Sequence, residues 1–154
     1  MILTNEKLPL AVSEDASLEE APKIIQLLEQ ELAASGKRGA PGIGLSAPQI
    51  GILKRVAIIR IPKTPTSAEC HLNLVNIKPE DITGFDKFIF DGEGCLSFPG
   101  LQERTWRYQE IYVQNNAVTP HSFILTGLPA VAVQHEQDHL DGITFTTRRI
   151  GGKK

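Results

Sequence analysis

The sequence predicts an α+β domain with one helix near the N-terminus, a run of short strands, and a last helix packed against the sheets. Residues 17–36 carry an apolar stripe of helical period. Residues 55–61 and two later segments have strand patterns, and residues 129–141 again read as a helix. The length of 154 residues, with 41% hydrophobic and 22% charged side chains, fits a single domain over residues 1–154. A chain of this size typically buries about 68–70% of its unfolded surface, so packing alone can hold it.

In the first helix Ile24, Ile25, Leu28 and Leu32 recur at the spacing of one buried face. Ser17 with Glu20 fits a capping box, Pro22 suits the first helical position, and Gly36 is a natural stop. Residues 36–44 are too rich in glycine and proline for a regular element and read as a loop whose backbone can approach a neighbour closely. The β-branched run Arg55 to Ile61 reads as a buried strand, and Pro62 to Ser67 as a connection. His71 to Leu74 and Ile111 to Gln114 alternate polar with apolar, as strands with one wet face do. The final helix runs from about Pro129 to Asp141, with Thr126 near its start and Gly142 placed to end it.

Sixteen basic against eighteen acidic residues give a net charge of -2, which excludes a nucleic-acid binder relying on a broad positive field. Two cysteines, Cys70 and Cys95, exclude a disulfide-dense secreted module. The N-terminus has no secretory signal pattern, and no stretch approaches the roughly 20 apolar residues of a membrane span. These features predict a protein of a reducing, soluble compartment. The basic tail from Arg148 to Lys154 reads as a frayed terminus.

The chemistry centres on His135-Glu136-Gln137-Asp138-His139, an H-E-x-x-H arrangement. At about 3.6 residues per turn, the two histidines differ by only about 40° around the helix axis, so both reach one metal ion. Glu136 then stands where a general base for metal-assisted hydrolysis must be. A catalytic divalent site normally has three protein ligands and an open position. No histidine, cysteine or glutamate follows His139, so the third ligand must come from upstream.

The candidates are His71, His121, Cys70, Cys95 or a carboxylate, and Cys95 is the best of them because flanking glycines permit close backbone approach. Cys70 and His71 are adjacent, so on a strand they point to opposite faces and read as structural. His121 follows Pro120 at a turn and reads as a solvated loop residue. Residues 42–47 match a G-x-G-x-x-A pattern, but no strand is read before them and Pro48 follows, so a nucleotide role is rejected.

Taken together, residues 42–49 (Gly42-Ile43-Gly44-Leu45-Ser46-Ala47-Pro48-Gln49), 93–97 (Glu93-Gly94-Cys95-Leu96-Ser97) and 135–140 resemble the three ordered motifs of the peptide deformylases. The resemblance implies antiparallel sheets packed around a C-terminal metal-binding helix, with one N-terminal helix. It implies a hydrolase that removes the formyl group from the formylmethionine of nascent polypeptides, with Cys95, His135 and His139 holding one metal. Ferrous iron is the ion associated with the family, and zinc, nickel or cobalt can occupy such a site. Glu136 would take a proton from the attacking water and pass it to the leaving amine. The oxyanion donors implied are the side-chain amide of Gln49 and the backbone N–H of Leu96.

Gly44 would bond the substrate backbone, and Ile43 would lie beside the substrate. Leu128, Val131 and Ala132 stand one to two turns before His135 and are candidates for the wall of a methionine pocket. Ser46 stands where the family usually has alanine, adding a hydroxyl that needs a partner if buried. Phe98-Pro99-Gly100 looks more like the organellar and related type. The chain also stops soon after the metal-binding helix, without the further C-terminal helix of many bacterial members. Such compactness resembles virus-encoded members, so the expected setting is the cytoplasm of a bacterium or of an infected bacterial host. Docking to the ribosome through that helix is not expected, nor is a nucleic-acid or membrane partner. Two other readings of the same residues are a metallopeptidase, weakened by the missing downstream ligand, and a non-catalytic binding domain with a structural metal. The last would need a fourth ligand, from Cys70 or His121.

Overall fold

The computed structural model describes residues 1–116 and 122–150; His121 and the tail from Gly151 to Lys154 lie outside them. Among the described residues there are two α-helices and six strands: α1 (Ala21–Lys37), β1 (Gly44–Ser46), β2 (Val56–Ile61), β3 (Cys70–Val75), β4 (Ile82–Cys95), β5 (Phe98–Val113), β6 (Phe123–Thr126) and α2 (Leu128–Leu140). The strands form two antiparallel sheets, ordered β1-β2-β3 and β4-β5-β6. The α+β class is therefore as predicted.

α1 buries Ile24, Leu28 and Leu32 as its stripe requires, while Ile25 is only partly buried against the same core. Its start differs from the sequence reading. Ser17 and Glu20 do exchange hydrogen bonds, Ser17 N to Glu20 Oε2 at 2.7 Å and Glu20 N to Ser17 Oγ at 3.1 Å. They close a turn ahead of the helix, which begins at Ala21 with Pro22 in its first turn and continues one residue past Gly36.

β2 divides the core. Val56 and Ile58 join Leu28, Leu32 and Leu45 on the α1 side, whereas Ala57, Ile59 and Ile61 join Ala130, Ala132 and Val133 of α2 on the other. Alternate residues of a strand face opposite ways, so a continuous apolar run marks a strand covered on both sides.

The long β4–β5 hairpin is the largest departure from the sequence reading, which caught only its end at Ile111. Apolar residues occupy both of its faces: Phe85, Ile89, Trp106 and Tyr108 are exposed, while Ile111 and Val113 are in the core. That double use erases the two-residue alternation by which a half-buried strand is recognised. Near the hairpin's tip the register slips between Phe90 and Glu93 and again between Gly94 and Cys95. Such bulges re-aim side chains, and here they precede Cys95.

α2 runs through the middle of the molecule, with ten of its residues buried, Ala130 to Val133 and His135 to Leu140. Its end is a Schellman motif: Gly142 N donates to His139 O at 3.1 Å and Ile143 N to Asp138 O at 2.8 Å. Arg55, itself buried, donates to Leu140 O at 3.1 Å and to Asp141 Oδ1 at 2.7 Å, a cation where the helix dipole is negative. Gly142 has φ +76, and a Cβ there would lie 2.9 Å from the backbone carbon of Ala11. Gly142→Ala is therefore expected to cost more than the roughly 1–2 kcal/mol of left-handed strain alone, read as a fall in thermal or urea midpoint. A midpoint equal to the parent's would show that the Ala11 segment yields freely.

Candidate metal centre and active-site cleft

His135 and His139 sit one turn apart on α2, with ring centroids 5.0 Å apart. Cys95, carried by the tip of the β4–β5 hairpin, brings its Sγ to 3.3 Å from His139 Nε2. The ligand-type atoms of all three residues lie within 4.8 Å of one another, the only such cluster of three or more among the described residues. Bond lengths of about 2.3 Å to sulfur and 2.0–2.1 Å to nitrogen at a tetrahedral centre separate the ligand atoms by about 3.5 Å. The sulfur–nitrogen distance observed fits that geometry, and one thiolate with two imidazoles suits a first-row transition metal. Cys70 and His71 are not part of the cluster: Cys70 packs against the core, and His71 faces solvent beside Glu69 at 3.1 Å. His121 is outside the described residues.

His135 is held from behind. His135 Nδ1 lies 2.6 Å from Glu93 Oε2, which leaves Nε2 as its ligand atom. Phe145 packs against the His135 ring, with centroids 5.7 Å apart. Glu93 accepts hydrogen bonds from Thr105 Oγ1 at 2.6 Å and from two nitrogens of Arg107. Arg107 reaches on to Asp138 Oδ2 at 2.7 Å, and Arg148 grips the same carboxylate.

Sequence reasoning assigned no role to Glu93, Thr105, Arg107 or Asp138, and it read Arg148 as the start of a frayed terminus, whereas Arg148 is paired with Asp138. The available signal was Thr105 and Arg107 two apart, hence on one face of a strand, beside an acidic residue within the helix motif. Burial opposes the charge on Glu93, but the His135 and Arg107 hydrogen bonds hold its carboxyl down to about 2. Burial likewise opposes charge on both histidines. His135 nevertheless stands well above its ordinary value because of Cys95 and Glu93, and the positive His135 helps burial drive His139 well below.

Glu136 is 4% exposed, and its Oε1 has no hydrogen-bond partner. Burial pushes its carboxyl up to about 7. An unpartnered buried carboxylate oxygen costs stability unless something arrives to use it. Gly44 of β1 lies against it: a Cβ at Gly44 would sit 2.7 Å from Glu136 Oε2, so a glycine is what leaves room for the carboxylate.

Gln49 is fixed in orientation. Its Oε1 accepts from Ser46 N and Ser46 Oγ, both at 3.0 Å, and its Nε2 donates to Ser97 Oγ at 3.1 Å and lies 3.6 Å from Cys95 Sγ. The buried Ser46 hydroxyl thus finds its partner on Gln49 and turns the amide donor toward the Cys95 side.

A cleft of about 1170 Å³ opens over these groups. Of the residues predicted from sequence, Ile43, Gly44, Gln49, Cys95, Leu96, Leu128, Val131, Ala132, His135 and Glu136 line it; His139 does not, and its Nε2 lies 3.3 Å from Cys95 Sγ. The cleft extends to Glu31 on α1, to Arg38 just past its end, and to Phe90 and Gln102 on the hairpin, none of which the sequence reading included.

The polypeptide deformylase family model matches residues 5–154. A peptide deformylase of Aquifex aeolicus is 41% identical over 117 residues, covering 75% of this chain and 68% of the relative. Among solved structures, a variant of peptide deformylase 1B from Arabidopsis thaliana superposes with a TM-score of 0.77 at 29% identity, covering 98% of this chain and 81% of that one. A probable peptide deformylase from Synechococcus phage S-SSM7 superposes with a TM-score of 0.76 at 34% identity, covering 96% and 98%.

Proposed function

Because this chain belongs to the polypeptide deformylase family, we propose that Cys95, His135 and His139 hold one divalent ion at its active site. The activity is that of a metal-dependent hydrolase, which removes the N-terminal formyl group from the formylmethionine of nascent polypeptides and releases formate. Residues 1–154 act as one deformylase domain. The observation that carries the assignment of residues is the convergence of Cys95 with both histidines beside a buried, unpartnered Glu136 Oε1. Neither alternative reading is favoured: residues 140–154 hold no histidine, cysteine or glutamate to serve a metallopeptidase, and Cys70 is not in the cluster to close a structural site, while His121, the other candidate fourth ligand, lies outside the described residues.

Bound there, the ion supplies Lewis acidity toward the formyl oxygen and lowers the pKa of a water from about 15.7 toward roughly 7; ferrous iron is the ion proposed, with zinc, nickel or cobalt as substitutes. Glu136 Oε1 takes the proton of the attacking water and delivers it to the methionine nitrogen as the C–N bond breaks. Gln49 Nε2, already turned toward Cys95, donates to the developing oxyanion together with the Leu96 backbone N–H. Gly44 bonds the substrate backbone and Ile43 flanks it, while Leu128, Val131 and Ala132 wall the methionine side chain.

Among the described residues no helix is long and apolar enough to cross a membrane. The setting proposed is the cytoplasm of a bacterium or of an infected bacterial host, with formylmethionyl chains as partner and neither ribosome docking nor nucleic-acid binding required.

Formate release from a short formylmethionyl peptide, by protein loaded with ferrous iron without oxygen or with nickel, tests the activity. No release by folded, metal-loaded protein would overturn the assignment. Gln49→Ala is expected to lower turnover about 100- to 1,000-fold, the usual cost of one oxyanion donor. Near-normal turnover would remove Gln49 from the mechanism.

A further inference from the structure

We infer that Arg148 is a positioning residue for the metal centre, acting through Asp138, Arg107 and Glu93 on His135. The inference rests on the reading of His135 as a metal ligand. Asp138 is buried, and its two oxygens receive Arg107 Nη1 at 2.7 Å, Arg148 Nε at 3.1 Å and Arg148 Nη2 at 2.7 Å. Arg107 spends its remaining nitrogens on Glu93, whose Oε2 holds His135 Nδ1. Behind the ligand, two carboxylates thus face one fully buried guanidinium, and Arg148 supplies the second positive charge.

A fork-to-carboxylate pair is directional as well as attractive. With both Asp138 oxygens gripped by Arg148, Arg107 stays aligned on Glu93, and Glu93 on the imidazole. Without Arg148, a buried excess negative charge competes for Arg107 and loosens the hydrogen bond that orients His135.

The segment carrying Arg148 is tied to the same strand that carries Thr105 and Arg107. Ile150 N donates to Arg104 O at 2.9 Å, and Arg149 bridges to Thr105. Phe145, at the start of the same turn, is buried between Phe98 and His135. An ordinary surface ion pair contributes about 0–1 kcal/mol and leaves distant chemistry alone. Arg148 differs because its partner carboxylate is buried and lies two hydrogen-bonded links from the metal ligand's own partner.

The test uses Co²⁺-loaded protein, whose thiolate-to-cobalt absorption reports the ligand set without reference to activity. Arg148→Met is expected to lose Co²⁺ to EDTA about 10- to 100-fold faster than the parent, with kcat reduced and KM unchanged. Arg148→Lys, which keeps the charge but not the fork, falls between. In an Asp138→Asn background, where no carboxylate awaits compensation, Arg148→Met changes the loss rate by less than about twofold.

A parental loss rate in Arg148→Met overturns the inference, as does an equal effect with and without the Asp138 charge. If Arg148→Met does not fold, a parental loss rate in Arg148→Lys overturns it equally. A parent protein that binds Co²⁺ without the thiolate band overturns the ligand reading itself, and is seen before any variant is compared.

Discussion

Glu136→Gln is expected to keep its metal ion and lower formate release by about 100- to 10,000-fold, the range that general acid–base catalysis supplies. Glutamine has the shape of glutamate and fits beside Gly44, where a Cβ would approach the carboxylate to 2.7 Å. It cannot accept the proton of water at Oε1, the atom that has no hydrogen-bond partner. The three ligand atoms are untouched, so the metal content and the cobalt spectrum should match the parent. Formate release measured beside metal content separates proton transfer from loss of the ion. Turnover within about threefold of the parent's at full metal occupancy would remove Glu136 as the base.

Arg107→Met is expected to be the most destabilising single change at the site. Arg107 is 3% exposed and, among the described residues, is the one side chain that bonds both Glu93 and Asp138. Its removal leaves Glu93 without its main countercharge, and breaking a buried ion pair from one side typically costs about 3–5 kcal/mol. For a chain of this size that corresponds to a fall of roughly 6–20 °C in the thermal midpoint.

The pH dependence gives a second reading of the same network. Glu93 is held down to about 2 from an ordinary 4.5, so it binds protons less readily folded than unfolded. Its contribution is complete above pH 4.5 and is lost as pH falls toward about 2. The acid limb of a stability profile should therefore flatten in Glu93→Gln, and an unchanged limb would show that other carboxylates govern acid unfolding.

The two histidines and Glu136 were legible because their relation is local. Helical geometry brings residues four apart onto one face, whatever surrounds the helix. β2 was legible for a similar reason, since a strand covered on both faces needs an unbroken apolar run, and Val56 to Ile59 provides one. Gly142 announced the helix end because a left-handed residue there favours glycine.

Cys95 was a different case. Composition left several candidate third ligands open, and its choice came from the likeness of three separated motifs to a family.

What only the tertiary structure decided lies across longer separations. The β4–β5 pairing, its slips of register before Cys95, and the chain of contacts from Arg148 through Asp138, Arg107 and Glu93 to His135 join residues from a hairpin, a helix and a terminal segment. No periodicity encodes such pairings, because which strand residues share a face with a given helix residue depends on register and docking. A one-residue slip would turn Thr105 and Arg107 to the opposite face and leave Glu93 unpaired. By itself, the sequence determined that His135, Glu136 and His139 share one helical neighbourhood, because that relation is set by short fixed spacings. The fold decided which polar groups hold them in place, because that depends on where distant segments meet.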